Sequence, residues 1–328
     1  MKITEKILVV GLGSIGQRHF RNLQALGVKN ISAVSSKSKL PEDLNLTHQY
    51  SNFTEALESR KDFNAAIVCT PTAAHLSTMN QLVEKGIPHI YLEKPVSHEL
   101  EGVDKLQEEV EAKNIRVKVG FDLHFDPGVA KVRELLENMV IGQLVAVNSV
   151  VGQYLPDWRP HEDYRQGMSA KKALGGGVML DLIHEFDYLR WLVGDVEELA
   201  GMNTNSGSLE IETEDLAQVI CRFHNGVLGN ITLDYLQRKM VRNCRLTGNK
   251  GSIFWNLAES KIEWWSKSDK GHFDYSNFAR NDRFVEIMKT FLKDEADDRL
   301  TSLEEGIKSL KIVVAAKESS KKRSFIKL

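Results

Sequence analysis

A strand-turn-helix near the start of the chain limits its possible folds most. The apolar run Ile7-Leu8-Val9-Val10 ends on Gly11-Leu-Gly13-Ser14-Ile15-Gly16, and a helical pattern over 14–26 opens at once, closed by Gly27. G-x-G-x-x-G is weak evidence by itself, but between a buried strand and a helix it has the setting that dinucleotide binding requires. Gly11 permits the tight turn, Gly13 lets the backbone approach a pyrophosphate, and Gly16 lets the helix pack closely on the strand. The helix N-terminus, at Ser14 and Ile15, offers unpaired N–H groups and a partial positive charge to an anion. The bland alternative is a tight turn that binds nothing.

Strands and helices keep alternating after this unit. The pattern predicts strands at 31–34, 65–69, 89–92 and 117–121. Between them it predicts helices at 55–59, capped by Thr54, and at 74–85 and 99–113. Such alternation argues for a parallel sheet with helices on both faces. Near residue 121 the pattern changes. After a helix at 128–138, strands follow at 144–151, 216–223, 227–235, 242–247 and 252–255. Asn225-Gly226 and Gly248-Asn-Lys-Gly251 mark tight turns between them. Helices are expected at 178–193, 281–293 and 302–318. The expected fold class is α/β: an N-terminal Rossmann dinucleotide-binding domain at 1–121, then an α+β domain at 122–328 with a mostly antiparallel sheet.

Composition excludes several roles. The net charge of −2 supplies no basic field for nucleic acid or an anionic membrane surface. No apolar run approaches the roughly 20 residues of a membrane span. Cys69, Cys221 and Cys244 lie far apart without metal-ligand spacing, which suits a reducing cytoplasm. The charged start, Met1 to Lys6, does not fit a signal peptide.

The end of the second strand reports on the cofactor. NAD binders usually carry an acidic residue there, to hold the ribose 2′-hydroxyl. This chain has Ser35, Ser36 and Lys37 instead, and no carboxylate before Glu42. Hydroxyls and a lysine suit a 2′-phosphate, so NADP is expected over NAD. The alternative is a solvated Lys37, with NAD held by backbone and Ser35. In an open parallel sheet, ligands sit beyond the C-terminal strand ends. Thr70-Pro71 and Glu93-Lys94-Pro95 lie at two such ends. Lys94 can orient a substrate oxygen and stabilise charge developing on it. Glu93 can hold that lysine or touch the nicotinamide ribose. In isolation, the pair reads equally as a surface ion pair.

Further marks are Gly11 through His19, Cys69-Thr-Pro-Thr-Ala-Ala-His75, Glu93-Lys-Pro95, Gly175-Gly-Gly-Val-Met-Leu-Asp181 and His184 through Trp191. With these the chain resembles, almost end to end, the Gfo/Idh/MocA family, named for glucose–fructose oxidoreductase and inositol dehydrogenase. The resemblance implies a Rossmann domain followed by a domain with a large open sheet. It implies oxidation or reduction of sugars, cyclitols and related compounds with NAD(P). It makes Lys94 a catalytic or substrate-orienting residue and puts His75 on the cofactor side. It implies a homodimer or homotetramer formed through the exposed face of the second sheet.

Asp181 and His184 are three positions apart, so one helix would present both on one face. A histidine titrates near neutral pH, as a general base for a hydroxyl should. Alternatives are a packed core histidine and a metal site, for which no third ligand is evident; no metal is expected. The resemblance favours proton transfer by His184. The family pattern separates this aspartate from its histidine by one position more, so a local distortion is expected between them. The segment from Gln153 to Arg165 can line a sugar site. Trp158 or Tyr164 would stack on a ring face, and Arg159 or Arg165 would hold an anion; the alternative is a surface loop anchored by Trp158. Together these residues predict an NAD(P)-dependent oxidoreductase acting on a sugar, sugar derivative or nucleotide-sugar. NAD-dependent glycoside cleavage and a non-catalytic NADP-binding sensor are the alternatives.

Overall fold

The computed structural model describes residues 6–36, 40–59, 62–293 and 295–328. These form two compact units. The first comprises residues up to Phe125 together with Arg280–Ile307, and the second comprises Asp126–Ala279 with Lys308–Leu328. The sequence division at 121 had placed 280–307 with the second half. The structure packs them with the first.

In the first unit the predicted alternation is present. β1 (Lys6–Val10), α1 (Ser14–Ala25), β2 (Asn30–Val34), β3 (His48–Tyr50), α2 (Phe53–Ser59), β4 (Ala65–Val68), α3 (His75–Glu84), β5 (His89–Leu92), α4 (Val103–Ala112) and β6 (Arg116–Val119) follow in order. The strand order β6-β5-β4-β1-β2-β3 is parallel, and the short strand Thr301–Ser302 adds antiparallel to β6. Strands buried on both faces explain the continuous apolar runs: Ile7, Leu8, Val9, Ala65, Ala66 and Ile67 are all fully buried. α1 ends as expected, with Gly27 at φ +88° and Val28 N donating to Leu23 O. The helix Arg280–Lys293 covers α1, with Arg18 over the Phe284 ring and Asn281 donating to Asn22.

Two local expectations are corrected. Asn52, not Thr54, caps α2: its Oδ1 accepts from Glu55 N at 2.9 Å, while the Glu55 carboxylate accepts from Ser51 N at 3.0 Å. α4 starts at Val103 rather than near 99, because Gly102 adopts a left-handed φ of +77° and the backbone before it is irregular.

The second unit is built on a nine-stranded sheet. α5 (Pro127–Glu137), β7 (Leu144–Gly152), α6 (Val178–Asp181), α7 (His184–Val193), β8 (Val196–Thr204), β9 (Leu216–Phe223), β10 (Leu228–Asp234), β11 (Val241–Gly248), β12 (Gly251–Asn256), β13 (Lys261–Ser266) and β14 (Lys270–Asp274) lead up to it. The order is β14-β13-β12-β11-β7-β10-β9-β8, with Ile326–Lys327 at the edge. All pairs are antiparallel except β7 with β10. Asn225-Gly226 makes the β9–β10 hairpin, with Gly226 at φ +83°. One face of this sheet carries Met202, Ile220 and Leu228 on the neighbouring strands β8, β9 and β10, and Trp265 farther along on β13, exposed by 76%, 50%, 52% and 46%. The single helix expected over 178–193 is interrupted: α6 stops at Asp181 and α7 starts at His184. Asp181 and His184 therefore do not share one continuous helix. A turn at Leu182-Ile183 separates them.

Candidate active site

The glycine loop of the first unit divides its three glycines by purpose. A Cβ on Gly11 would lie 2.8 Å from Cys69 O, and one on Gly16 would lie 1.9 Å from Gly11 O. Both positions are closed by the protein's own backbone. A Cβ on Gly13 would meet nothing within 4 Å. Gly13 is also the N-cap of α1 and has no side chain to satisfy the first-turn N–H groups. The Thr70 hydroxyl, at the end of β4, is buried without a hydrogen-bond partner among the described residues. An open backbone, a bare helix N-terminus and an orphaned hydroxyl fit a dinucleotide phosphate and its ribose. At the end of β2, Ser35 is buried, its N–H donating to Tyr50 O and its O accepting from Gln49 Nε2, while Ser36 is exposed. Lys37 lies outside the described residues.

The strand end at Glu93-Lys94-Pro95 is braced from beneath. Glu93 is buried, and its Oε1 lies 2.6 Å from His19 Nε2. His19, fully buried on α1, packs edge-on against Tyr91 at 5.2 Å. Burial, and then the Glu93 carboxylate, hold the Tyr91 hydroxyl well above its ordinary pKa. His19 appeared in the glycine-loop motif, but nothing local shows its partner 74 positions away. Lys94 is half-buried and the Lys94–Pro95 peptide is cis.

His75, expected on the cofactor side, is turned inward. Its Nδ1 lies 2.7 Å from Pro95 O and its Nε2 3.0 Å from Thr70 O. The ring thus ties the loop after β4 to the loop after β5, and 1% exposure leaves it no face for a ligand. A carbonyl only accepts, so both contacts are hydrogen bonds together only in the charged ring. Burial, the largest influence, lowers the His75 pKa, and the two carbonyls act against it.

In the second unit Asp181 and His184 are buried to 6% and 8% exposure. Tyr235, just after β10, donates its hydroxyl to Asp181 Oδ2 at 2.6 Å. Burial and then Asp181 push the Tyr235 hydroxyl well above its ordinary pKa, so it remains a donor. Trp158 meets the Tyr235 ring edge-on at 5.4 Å, and its indole N–H donates to Gln153 O. Trp158, Arg159 and Tyr164 line one cavity with Leu155, Gly167 and Ser169. Arg165 is not in that lining: Asp163 takes its guanidinium through two bonds, at 2.8 and 3.0 Å, and Glu210 takes another at 3.3 Å. These carboxylates raise its pKa, Asp163 most. Arg159 faces Glu162 at 3.9 Å.

The glycine triplet is filled by the protein itself. A Cβ on Gly176 would lie 2.1 Å from Met168 O, and one on Gly177 would lie 2.4 Å from Glu214 Oε1. The first turn of α7 is fixed by Glu185, fully buried, whose carboxylate accepts from Arg242 Nε at 2.8 Å and Nη2 at 2.9 Å. Among the described residues no three His, Cys, Asp or Glu side chains gather to hold a metal ion.

Two sequence profiles of one family cover most of the chain. The NAD-binding Rossmann fold of an oxidoreductase family matches residues 5–121, and the GFO/IDH/MocA C-terminal domain matches 129–254. The chain belongs to the Gfo/Idh/MocA family of NAD(P)-binding oxidoreductases. It is 29% identical to a myo-inositol 2-dehydrogenase of Thermotoga maritima over 98% of each chain. Its fold matches that of levoglucosan dehydrogenase in complex with NADH and levoglucosan, with a TM-score of 0.86 at 18% identity over 99% of each chain. A myo-inositol 2-dehydrogenase from Lactobacillus plantarum matches with a TM-score of 0.82 at 19% identity over 99% of each chain.

Proposed function

We propose that the protein is an NAD(P)-dependent dehydrogenase acting on a hydroxyl or keto carbon of a sugar, sugar derivative or nucleotide-sugar. The observation that carries this reading is the pairing, within the first unit, of an open backbone at Gly13 with a strand end at Glu93-Lys94-Pro95 whose Glu93 is braced by His19. A nicotinamide cofactor, when bound, would supply the hydride acceptor or donor. Lys94 orients the reacting oxygen, and His184 takes the hydroxyl proton in the oxidative direction. Asp181, held by Tyr235, orients the substrate. Trp158 and Tyr164 offer ring faces to the sugar. Gly11, Gly13, Ser14, Ile15 and Gly16 would hold the pyrophosphate, with Thr70 and Pro71 on the cofactor side. NADP is the preferred cofactor, because the end of β2 bears serines and no carboxylate.

A homodimer or homotetramer would cover the apolar side chains on the open sheet face. The three cysteines are free and buried, which suits a cytoplasmic protein. A panel of free and nucleotide-linked sugars, run with both cofactors and read at 340 nm, tests the reading. A substrate-dependent absorbance change supports it. Sugar release without net absorbance change would instead support NAD-dependent glycoside cleavage, and tighter binding of NAD than NADP would overturn the cofactor preference.

A further inference from the structure

Among the cations of the second unit, several are engaged by carboxylates of the chain itself. Arg165 is held by Asp163 and Glu210, Arg159 faces Glu162, Lys171 is bound to Glu212, and Arg242 is bound to Glu185. The anion-holding role expected of Arg165 is therefore filled from within the chain. Arg238 is different. It is exposed, and among the described residues no carboxylate lies within ion-pair distance of it. Its guanidinium lies over the face of Tyr154, 3.5 Å from the ring centroid. A cation stacked this way gives up rotamer freedom before any ligand arrives.

The loop that carries Arg238 is rigidly built and joined to the substrate segment. Asp234 Oδ1 accepts from Leu236 N and Gln237 N at 2.8 and 3.0 Å, and its Oδ2 accepts from the Gln237 amide at 2.7 Å. Those bonds turn this nearby buried carboxylate toward the loop backbone. Gln237 O accepts from Tyr154 N at 2.7 Å, and Tyr235 O accepts from Leu155 N at 3.0 Å. Three residues before Arg238, Tyr235 holds Asp181 and meets Trp158. Lys239, next in the chain, is also exposed and has no ion-pair partner among the described residues.

We infer that Arg238, seated on Tyr154, is a specificity-determining residue that binds an oxyanion, a carboxylate or phosphate, carried by the sugar substrate. A planar fork on a fixed platform can offer two parallel N–H donors to such a group. This inference rests on the substrate site proposed above and narrows its substrate class to acidic or phosphorylated sugars.

The test is calorimetric binding to the cofactor-loaded protein, so turnover is not needed. Glucuronate, glucose 6-phosphate and UDP-glucose are compared with glucose, in wild type and in Arg238→Gln. At least one anionic probe is expected to bind ten times or more tighter than glucose in wild type. Arg238→Gln should then reduce that preference by about 10- to 100-fold, the range of a charge-assisted hydrogen bond. Arg238→Lys should restore part of it, and Tyr154→Leu should lose part of it. Which probe responds tells carboxylate from phosphate. The inference is overturned if no anionic probe outbinds glucose, or if the preference survives in Arg238→Gln. Arg238-dependent binding without any absorbance change at 340 nm would keep the oxyanion subsite and remove the dehydrogenase reading.

Discussion

Two glycine clusters, one in each unit, look alike in sequence and differ in structure. In Gly11-x-Gly13-x-x-Gly16 the outer glycines are pressed against backbone and the middle one faces open space. In Gly175-Gly176-Gly177 the space beside Gly176 and Gly177 is taken by Met168, Ser169 and Glu214. The first cluster keeps room for something the chain does not contain. The second lets the chain pack against itself where α6 begins. The support differs as well. The first unit braces its strand ends with His19 and His75, whereas the second fixes α7 with a buried ion pair.

The largest expected effect lies at that ion pair. Arg242→Ala should lower stability by about 3–5 kcal/mol, because it leaves Glu185 charged and fully buried. Chemical denaturation measures this, and a loss under about 1 kcal/mol would show that α7 is fixed by other means. Next come the glycines. Gly16→Ala and Gly176→Ala should each cost about 3 kcal/mol or more, because a backbone oxygen must move in both cases. Gly13→Ala should cost less than about 1 kcal/mol and yet weaken NADP binding about tenfold or more. If Gly13→Ala binds cofactor like wild type, the two clusters do not differ as described.

The smallest effect concerns His75. Its pKa is lowered in the folded state, so its contribution to stability is present above about pH 6.5, the ordinary value, and is lost as pH falls through the folded value. Melting temperature should therefore fall less between pH 7 and pH 5 in His75→Gln than in wild type. Equal slopes would assign the acid sensitivity to other groups.

Much of the fold can be read locally. Buried runs such as Ala65 to Val68, the glycine stops at Gly27 and Gly86, and the Asn225-Gly226 hairpin depend on neighbours a few residues away. β8, with Glu197, Glu198 and Asn203 among its residues, has no clean alternation, and its identity comes from pairing with β9. The same limit governs the candidate site. Glycine spacing pointed to the cofactor loop, and the shortened Asp181–His184 interval pointed to a break. By contrast, His19 with Glu93, Arg242 with Glu185, Tyr235 with Asp181 and Arg165 with Glu210 join residues 45 to 74 positions apart. Local periodicity carries no record of such partners. For that reason His75 and Arg165 read as ligand contacts in the sequence and are engaged by the protein in the structure.

The most direct test of the central claim is a single-turnover measurement of hydride transfer in Lys94→Ala and His184→Ala, with cofactor affinity measured on the same samples. The expected result is a fall in rate of about 10²- to 10⁴-fold for each variant, with cofactor binding retained. Transfer at the wild-type rate in either variant would contradict it.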